Sequence, residues 1–213
     1  QNIFYTRSKR MISHKLKYLF IHIPKTAGSA LALFLEDSLA NEVTVGFSNQ
    51  TGKDQNVYAA CEINEDKKSI KHEPHEYFQN LYGDRLNDYY KFTIVRNPYD
   101  RMMSYHFWGS NTEYRNFTKE GFIGRVVELG DDPWSYQHKY INDDYHIIHY
   151  ENLVEELKEI ECLKQYDFDQ LPKINVNRAR QATPTLLYEE LYDEEMKSLV
   201  YGYYKKEFES FGY

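Results

Sequence analysis

The feature that most constrains the fold is an apolar run that passes through a short polar loop directly into a helical pattern. Residues 18–23 (YLFIHI) have the composition of a buried strand, and Pro24 ends that run. Gly28 begins an apolar pattern of helical spacing that lasts to about residue 39. A strand that turns this quickly into a helix is typical of a βα unit, and such units build parallel sheets.

Two further apolar runs repeat this order. Residues 91–95 are followed by Asn97 and Pro98, which suit the cap and the first position of a helix. Residues 145–150 are followed by another helical pattern. The sequence therefore predicts an α/β fold with a central, mainly parallel sheet flanked by helices. Helices are expected over residues 28–39, 74–81, 98–108, 117–129, 133–141, 152–162 and 193–208, with a further short strand over 69–71.

Length and composition indicate a single globular domain. The chain has 213 residues, of which 41% are hydrophobic and 28% are charged, which is ordinary globular composition. Residues 1–17 are polar and basic, and we interpret them as an N-terminal arm before one domain over residues 18–213. No apolar run approaches the roughly 18 residues that a membrane-spanning helix needs.

The balance of charge limits the possible partners. Asp and Glu number 33 against 26 Lys and Arg, which gives a net charge of −7. An acidic protein is not built to coat itself with nucleic acid, so no nucleic acid is expected as a partner. Any anion that the chain binds must be held by a few local cations. The 21 tyrosines suit flat, hydroxylated ligands such as sugars, and they equally suit half-buried packing positions.

The loop after the first strand has the properties of an anion site. In HIPKTAGS, Lys25 supplies a full positive charge, and Thr26 and Ser29 supply hydroxyl donors. Gly28 allows close approach of the backbone at a helix N-terminus, where free N–H groups favour an anion. The simpler alternative, an ordinary turn with a solvated lysine, leaves this combination unexplained. The order differs from the Walker A motif, in which the lysine directly follows a glycine.

A second anion motif follows the second strand. In VRNPYDRMMS, Arg96 stands at the strand end and offers a planar fork for phosphate, and Ser104 follows about two helical turns later. Asp100 and Arg101 are open to another interpretation, as a local pair on the helix face. Ligands of such sheets bind outside the carboxyl ends of the strands. Two such motifs therefore indicate one ligand with two separated anionic groups.

Together, HIPKTAGSA and VRNPYDRMMSY resemble the two cofactor loops of PAPS-dependent sulfotransferases. The resemblance is strongest to the carbohydrate sulfotransferases of the chondroitin/dermatan and heparan 2-O type. It continues in KHEP at residues 71–74, YHIIHYENL at 145–153, LPKINVNR at 171–178 and the ending KKEFESFGY, and so covers most of the chain. It implies a P-loop-NTPase-like α/β fold, PAPS as sulfuryl donor, PAP as product and no metal.

The resemblance also implies roles for individual residues. The loop after the first strand would hold the 5′-phosphosulfate, and the second motif would hold the 3′-phosphate. The segment LPKINVNR resembles a loop that closes over the nucleotide. The candidate donor-binding residues are therefore Lys25, Thr26, Ala27, Gly28, Ser29, Arg96, Ser104, Asn177 and Arg178.

Sulfuryl transfer to a hydroxyl benefits from a general base, and histidine is the usual choice near neutral pH. His72 is our candidate because it lies between the two loops, where the resemblance places the family's histidine facing the donor sulfur. A surface or capping histidine is the alternative, and His75 is the competing base and a possible acceptor contact. Lys25 would stabilise charge on the oxygen that leaves with PAP.

The acceptor side is less well defined. Related carbohydrate enzymes often carry a His-Trp-x-Pro-Gln-like stretch that faces the acceptor, and this chain keeps Trp134 and Gln137 but has Pro133 and Tyr136 instead of the other positions. We expect a hydroxyl acceptor, a carbohydrate or glycoconjugate, contacted by Trp134 and Gln137. The net charge of −7 favours a neutral or lightly charged acceptor over a heavily sulfated polymer.

Two other functions and two compartments stay open. A small-molecule kinase and an inactive nucleotide-binding module are the alternative functions; the displaced lysine and the lack of an evident Mg²⁺-binding Asp motif argue against the kinase. The chain contains Cys61 and Cys162, which allow one disulfide or two free thiols. This low cysteine content is typical of a bacterial-type cytoplasmic enzyme, and a trimmed Golgi-lumenal domain is the alternative.

Overall fold

The computed structural model describes residues 12–40, 72–108, 117–172 and 188–213. The strands are β1 (Ile12–Ser13), β2 (Tyr18–Ile21), β3 (Tyr90–Val95) and β4 (His146–His149). The α-helices are α1 (Gly28–Ala40), α2 (His75–Tyr82), α3 (Pro98–His106), α4 (Lys119–Gly130), α5 (Leu153–Lys158) and α6 (Glu194–Phe211). Short 3-10 helices lie at Gly83–Asp88, Pro133–Ser135, Gln137–Lys139, Tyr150–Asn152, Glu161–Leu163, Phe168–Gln170 and Tyr188–Leu191.

The four strands form one sheet in the order β1-β2-β3-β4. Strands β2, β3 and β4 run parallel, with Phe92 paired to Phe20 on one side and to His146 on the other. Strand β1 is antiparallel to β2 and pairs Ile12 with Leu19, so the sheet includes part of the segment interpreted as an arm. The mixed α/β fold with a mainly parallel sheet and flanking helices is therefore confirmed.

Burial explains why these segments are strands. All residues of β2 are buried, as are the last four of β3, which is the pattern of strands covered on both faces. Hydrophobic side chains around the sheet form one core, with Phe20, Phe92 and Ile148 at its centre. The carboxyl ends of β2, β3 and β4 lie at one edge, and the loops that leave this edge carry the candidate site residues.

A second hydrophobic cluster holds the C-terminal helix against the rest of the domain. It joins Met102 of α3, Phe122 of α4 and Val200 and Tyr204 of α6, and all four are nearly or fully buried. Helix α6 is capped by Asp193, whose side chain accepts a hydrogen bond from the backbone N–H of Met196 at 2.9 Å. The cluster fixes α6 beside α3, the helix that follows the second anion motif.

Several predicted boundaries differ from the structure. The predicted helix over 133–141 is wrong, because the extended backbone of Tyr136 (φ −89°, ψ 124°) separates two short 3-10 helices. Helix α5 ends at Lys158 instead of 162, and α3 ends at His106 instead of 108. Helix α6 continues past 208 to Phe211, where Gly212 adopts a left-handed φ of 74° and ends it. The predicted strand over 69–71 lies outside the described residues.

Candidate functional site

The loop between β2 and α1 has a backbone shaped for an anion. The angle φ is positive at Lys25 (68°) and at Ala27 (69°) but not at Thr26, which lies between them. Alternation of right- and left-handed residues turns successive backbone N–H groups toward one side, which forms an anion-binding nest. Positive φ is uncommon for residues other than glycine and concentrates at functional sites. The loop leads directly into the N-terminus of α1 at Gly28.

Close packing explains the glycine at the start of α1. A Cβ atom built on Gly28 would lie 2.1 Å from Cδ2 of His22, so the imidazole ring occupies the space of a side chain. Thr26 is fully buried, and its hydroxyl donates a hydrogen bond to the carbonyl oxygen of Ile23 at 2.9 Å. Ser29 is 8% exposed. The Thr26 hydroxyl therefore stabilises the loop itself, which leaves backbone N–H groups and the Lys25 ammonium as the main candidate anion donors.

Arg96 joins this loop to the second motif. Its Nη1 donates to the carbonyl oxygen of Lys25 at 3.0 Å, and its Nε donates to Asp100 Oδ2 at 2.8 Å. Its Nη2 lies 2.6 Å from the same Asp100 oxygen, and the guanidinium stacks on the Tyr150 ring, 4.1 Å from the ring centroid. Asp100 therefore pairs with Arg96 and not with Arg101, which corrects the local pair considered from the sequence.

The geometry leaves Arg96 able to bind an anion. A guanidinium has five N–H groups. In Arg96, one N–H on Nη1 and one on Nη2 have no hydrogen-bond partner among the residues that the structure describes. The side chain is nearly buried, so a hydrogen bond from these groups to a phosphate would be charge-assisted and poorly screened by water. Ser104 lies half-buried on α3, two turns beyond.

His72 is held in one orientation by the strand end. Its Nδ1 is 2.8 Å from the carbonyl oxygen of His22, and the two imidazole centroids are 4.4 Å apart. A carbonyl oxygen only accepts, so Nδ1 carries the proton and Nε2 carries the lone pair of the neutral ring. His72 is exposed, and because Nδ1 donates to the carbonyl oxygen, Nε2 is the nitrogen that could accept a proton.

His75, the competing base, lies in a different environment. It is 9% exposed, and its Nδ1 is 3.0 Å from the hydroxyl of Tyr145. Burial lowers its pKa from the ordinary value of 6.5. His75 is the first residue of helix α2, and its backbone N–H donates to the carbonyl oxygen of Tyr140 at 2.8 Å. These contacts favour a packing role for His75 and leave His72 as the more accessible imidazole.

The predicted acceptor residues separate into one exposed and one buried side chain. Trp134, in the 3-10 helix Pro133–Ser135, is 52% exposed, and its ring centroid lies 5.8 Å from that of Tyr140. Gln137 is fully buried, and its amide is hydrogen-bonded to the backbone of Arg96 and to Glu207. This placement argues against the predicted contact of Gln137 with an acceptor. Its amide instead holds the backbone of Arg96.

The structure adds a residue that sequence reasoning missed. Trp108, which follows α3, is 63% exposed, and the Lys25 Nζ lies 5.0 Å from its ring centroid. Such a distance is within range of a cation–π interaction. The only sequence signal for this contact is the aromatic run that ends the second motif, and nothing local predicts that it reaches Lys25. An exposed indole thus stands beside the lysine of the first motif.

Other predictions concern ions, membranes and residues beyond the described ranges. Within residues 12–40, 72–108, 117–172 and 188–213, no cluster of His, Cys, Asp and Glu could hold a metal ion. In those same stretches, no helix is long and apolar enough to cross a membrane. Asn177 and Arg178 lie outside the described residues, as does Cys61, and Cys162 is a half-buried free thiol.

Comparison with known proteins identifies the family to which the chain belongs. Residues 8–171, which are most of the chain and include the described residues of both anion motifs, match a family model described as "Sulfotransferase family". No curated protein and no solved structure matches the chain. The matched residues include Lys25 and Arg96, whose direct contact joins the two motifs in the structure. The chain therefore belongs to sulfotransferase family 2, whose members are enzymes that transfer sulfuryl groups.

Proposed function

We propose that this protein transfers a sulfuryl group from PAPS to a hydroxyl of a carbohydrate or glycoconjugate. The observation that carries the proposal is the 3.0 Å hydrogen bond from Arg96 Nη1 to the carbonyl oxygen of Lys25. It makes the two anion motifs parts of one site, and a single ligand with two separated anionic groups fits that site. PAPS carries a 5′-phosphosulfate and a 3′-phosphate, which match this requirement.

The described residues provide donors for both anionic groups. The backbone N–H groups of residues 26–29 would donate hydrogen bonds to the phosphosulfate. They lie in the positive-φ loop and at the start of α1, and the Lys25 ammonium adds a positive charge. Arg96 provides two N–H donors for the 3′-phosphate, and Ser104 provides a hydroxyl further along α3. The Tyr150 ring beneath Arg96 and the Asp100 carboxylate hold the guanidinium in place.

The chemistry is an in-line displacement at sulfur that depends on positioning and on charge stabilisation. PAPS supplies an activated sulfuryl group when it is bound. The Nε2 of His72 accepts the proton of the acceptor hydroxyl as its oxygen forms the new bond to sulfur. The Lys25 ammonium stabilises the negative charge that develops on the phosphate oxygen whose bond to sulfur breaks. The proton then passes from His72 to solvent, which restores the neutral imidazole, and PAP is the product.

The acceptor is proposed to contact the exposed indole rings. Trp108 stands beside Lys25 and is 63% exposed, and Trp134 is 52% exposed. Exposed indoles are suited to stacking on the apolar face of a sugar ring. The net charge of −7 favours a neutral or lightly charged acceptor. The match to the sulfotransferase family gives no support to the alternative of a small-molecule kinase.

Two measurements test this function. Radiolabelled PAPS should pass label to a member of a panel of glycans and small hydroxylated compounds, and adenosine 5′-triphosphate labelled in its terminal phosphate should not. PAP should raise the melting temperature of the protein more than ATP with Mg²⁺ does, because ligands that bind the folded state stabilise it. Label transfer from ATP without transfer from PAPS would overturn the proposal.

A further inference from the structure

A buried charged pair lies behind the two motifs, and the proposed chemistry does not use it. Arg101 of α3 and Glu207 of α6 are both fully buried, with Nη1 of the arginine 3.8 Å from Oε2 of the glutamate. Charged side chains are almost never fully buried unless they are paired and hydrogen-bonded. The contacts of each partner therefore show what this pair holds in place.

Arg101 holds the first anion loop. Its Nε donates to the carbonyl oxygen of Pro24 at 3.0 Å, which is the peptide directly before Lys25. Its Nη1 donates to the carbonyl oxygen of Ser135 at 2.6 Å, and its Nη2 donates to the hydroxyl of Tyr105 at 3.3 Å. A rigid, planar guanidinium thus connects α3 with the backbone at the start of the loop.

Glu207 holds the second motif through Gln137. Its carboxylate accepts hydrogen bonds from the backbone N–H of Gln137 and, at 3.0 Å, from the side-chain Nε2 of the same residue. The side-chain amide of Gln137 in turn pairs with the backbone of Arg96. Its Oε1 accepts from the Arg96 N–H at 2.9 Å, and its Nε2 donates to the Arg96 carbonyl oxygen at 2.9 Å. This pairing fixes the backbone of Arg96 just beyond the end of β3.

We propose that Glu207 is a positioning residue for the donor site. Through Arg101 it holds the loop that contains Lys25, and through Gln137 it holds Arg96, so α6 sets the spacing between the two anion-binding groups. Glu207 lies beyond residue 171, where the family match ends. The inference rests on the proposed function, because the ligand whose two anionic groups must fit this spacing is PAPS or PAP.

A purely structural role would give a different result on substitution. A buried ion pair can often be replaced by apolar side chains of similar size without loss of stability, whereas loss of one partner leaves an uncompensated charge. The double variant Arg101→Met/Glu207→Leu therefore preserves the packing of α6 on α3. It removes every hydrogen bond that the pair makes to Pro24, Ser135 and Gln137.

The test compares folding with donor affinity in this double variant. We expect the double variant to fold with a lower melting temperature, because polar groups of Pro24, Ser135 and Gln137 lose their partners. We also expect a dissociation constant for PAP, measured by calorimetry, that is higher by about tenfold or more. Amide exchange at the Arg96 N–H should be faster, with the Ile94 N–H in β3 as internal reference. Wild-type affinity for PAP in a folded double variant would overturn the proposal.

A second variant keeps the test valid if the double variant does not fold. Gln137→Met is close in size and leaves Arg101 and Glu207 in place, but it removes the pairing with the Arg96 peptide. We expect weaker PAP binding and faster exchange at Arg96. Val200→Ala is the matched control, because Val200 is fully buried on α6 in the second cluster and its apolar side chain makes none of the hydrogen bonds of the network around Arg101 and Glu207.

The control and the wild type separate the possible failures. If Val200→Ala loses as much PAP affinity as Gln137→Met at a comparable drop in melting temperature, the effect is general stability and the inference is wrong. If the wild type does not bind PAP, the proposed function fails first. If the wild type binds PAP and Lys25→Ala weakens that binding, but Gln137→Met binds normally, only the role of Glu207 is overturned.

Discussion

The guanidinium of Arg96 donates a hydrogen bond to the carbonyl oxygen of Lys25 at 3.0 Å. The two residues follow neighbouring parallel strands and are 71 positions apart in the chain. Their contact places two positive charges at one edge of the sheet in a protein whose net charge is −7. The site therefore supplies two cationic side chains to an anion in a protein that is acidic as a whole.

The first prediction concerns the general base. His72→Ala should lower turnover by about 10²- to 10⁴-fold, because that is the usual contribution of a positioned acid or base. PAP binding should stay within a factor of about two, since His72 contacts His22, which precedes the loop, through its carbonyl oxygen and its ring. Steady-state rates and calorimetry measure the two quantities.

His75→Phe is the matched variant for that experiment. It keeps an aromatic ring against Tyr145 and removes the second imidazole. We expect it to retain most of the activity. If His75→Phe is inactive while His72→Ala turns over normally, the base has been assigned to the wrong histidine.

The second prediction concerns the glycine of the first loop. Gly28→Ala places a Cβ 2.1 Å from the His22 ring, so the ring has to move, and its backbone carbonyl supports His72. Overpacking of this kind costs about 1–3 kcal/mol of folding free energy. We expect a lower melting temperature and a loss of turnover larger than the loss of PAP affinity. Ala32→Gly, a destabilising change further along α1, should lower the melting temperature without this selective loss.

The third prediction concerns the acceptor. Trp108→Ala should raise the KM for the acceptor by about two- to tenfold, the effect of losing one aromatic stacking contact. The affinity for PAP should change little. Tyr90→Ala is the control, because Tyr90 is exposed at the opposite end of β3 from Arg96. An unchanged acceptor KM in Trp108→Ala, or an equal rise in the control, would remove Trp108 from the acceptor site.

The fourth prediction concerns stability at acid pH. Burial, and then the charges of Lys206 and Lys139, lower the pKa of His138 from 6.5 to about 4. Between pH 6.5 and 4 the unfolded chain therefore binds the proton that the folded protein refuses, and stability falls as pH falls. His138→Gln should show a shallower decline of melting temperature across this interval.

The neighbouring carboxylate acts with the opposite sign. Glu207 Oε1 lies 3.9 Å from Nδ1 of His138, and burial raises the pKa of Glu207. A carboxyl with a raised pKa in the folded state favours folding as pH falls, so wild type and variant must be compared at each pH. An identical slope in the two proteins would show that His138 does not carry the acid sensitivity.

Local sequence was sufficient to predict the strand ends and the residues that stand on them. Lys25 and Arg96 each follow an apolar run directly, so their positions at the edge of a parallel sheet follow from strand order alone. Asn97 and Pro98 gave the start of α3 because helix capping depends on adjacent residues. The mixed α/β class, with its four-stranded sheet flanked by helices, is confirmed for the same reason.

Contacts between distant segments could not be predicted in this way. Gln137 is an ordinary polar residue in the sequence, and only the folded chain shows its amide on the Arg96 peptide. Glu207 lies on a helix whose polar residues are mostly exposed, and its burial depends on Arg101, which is 106 positions earlier. The break at Tyr136 was missed because the apolar spacing of 133–141 fits a helix even though the backbone there is extended.

The most direct test of the account is the affinity of the wild type for PAP compared with AMP, which lacks the 3′-phosphate. Charge-assisted hydrogen bonds contribute about 1.5–3 kcal/mol each, so PAP should bind at least about tenfold more tightly. Arg96→Ala should abolish most of this preference, with a smaller loss of AMP affinity because it also removes the hydrogen bond to the Lys25 carbonyl oxygen. Lys25→Ala should weaken the binding of both nucleotides. Equal affinity of the wild type for PAP and AMP, or a full preference for PAP in Arg96→Ala, would contradict the central claim that the two motifs form one donor site.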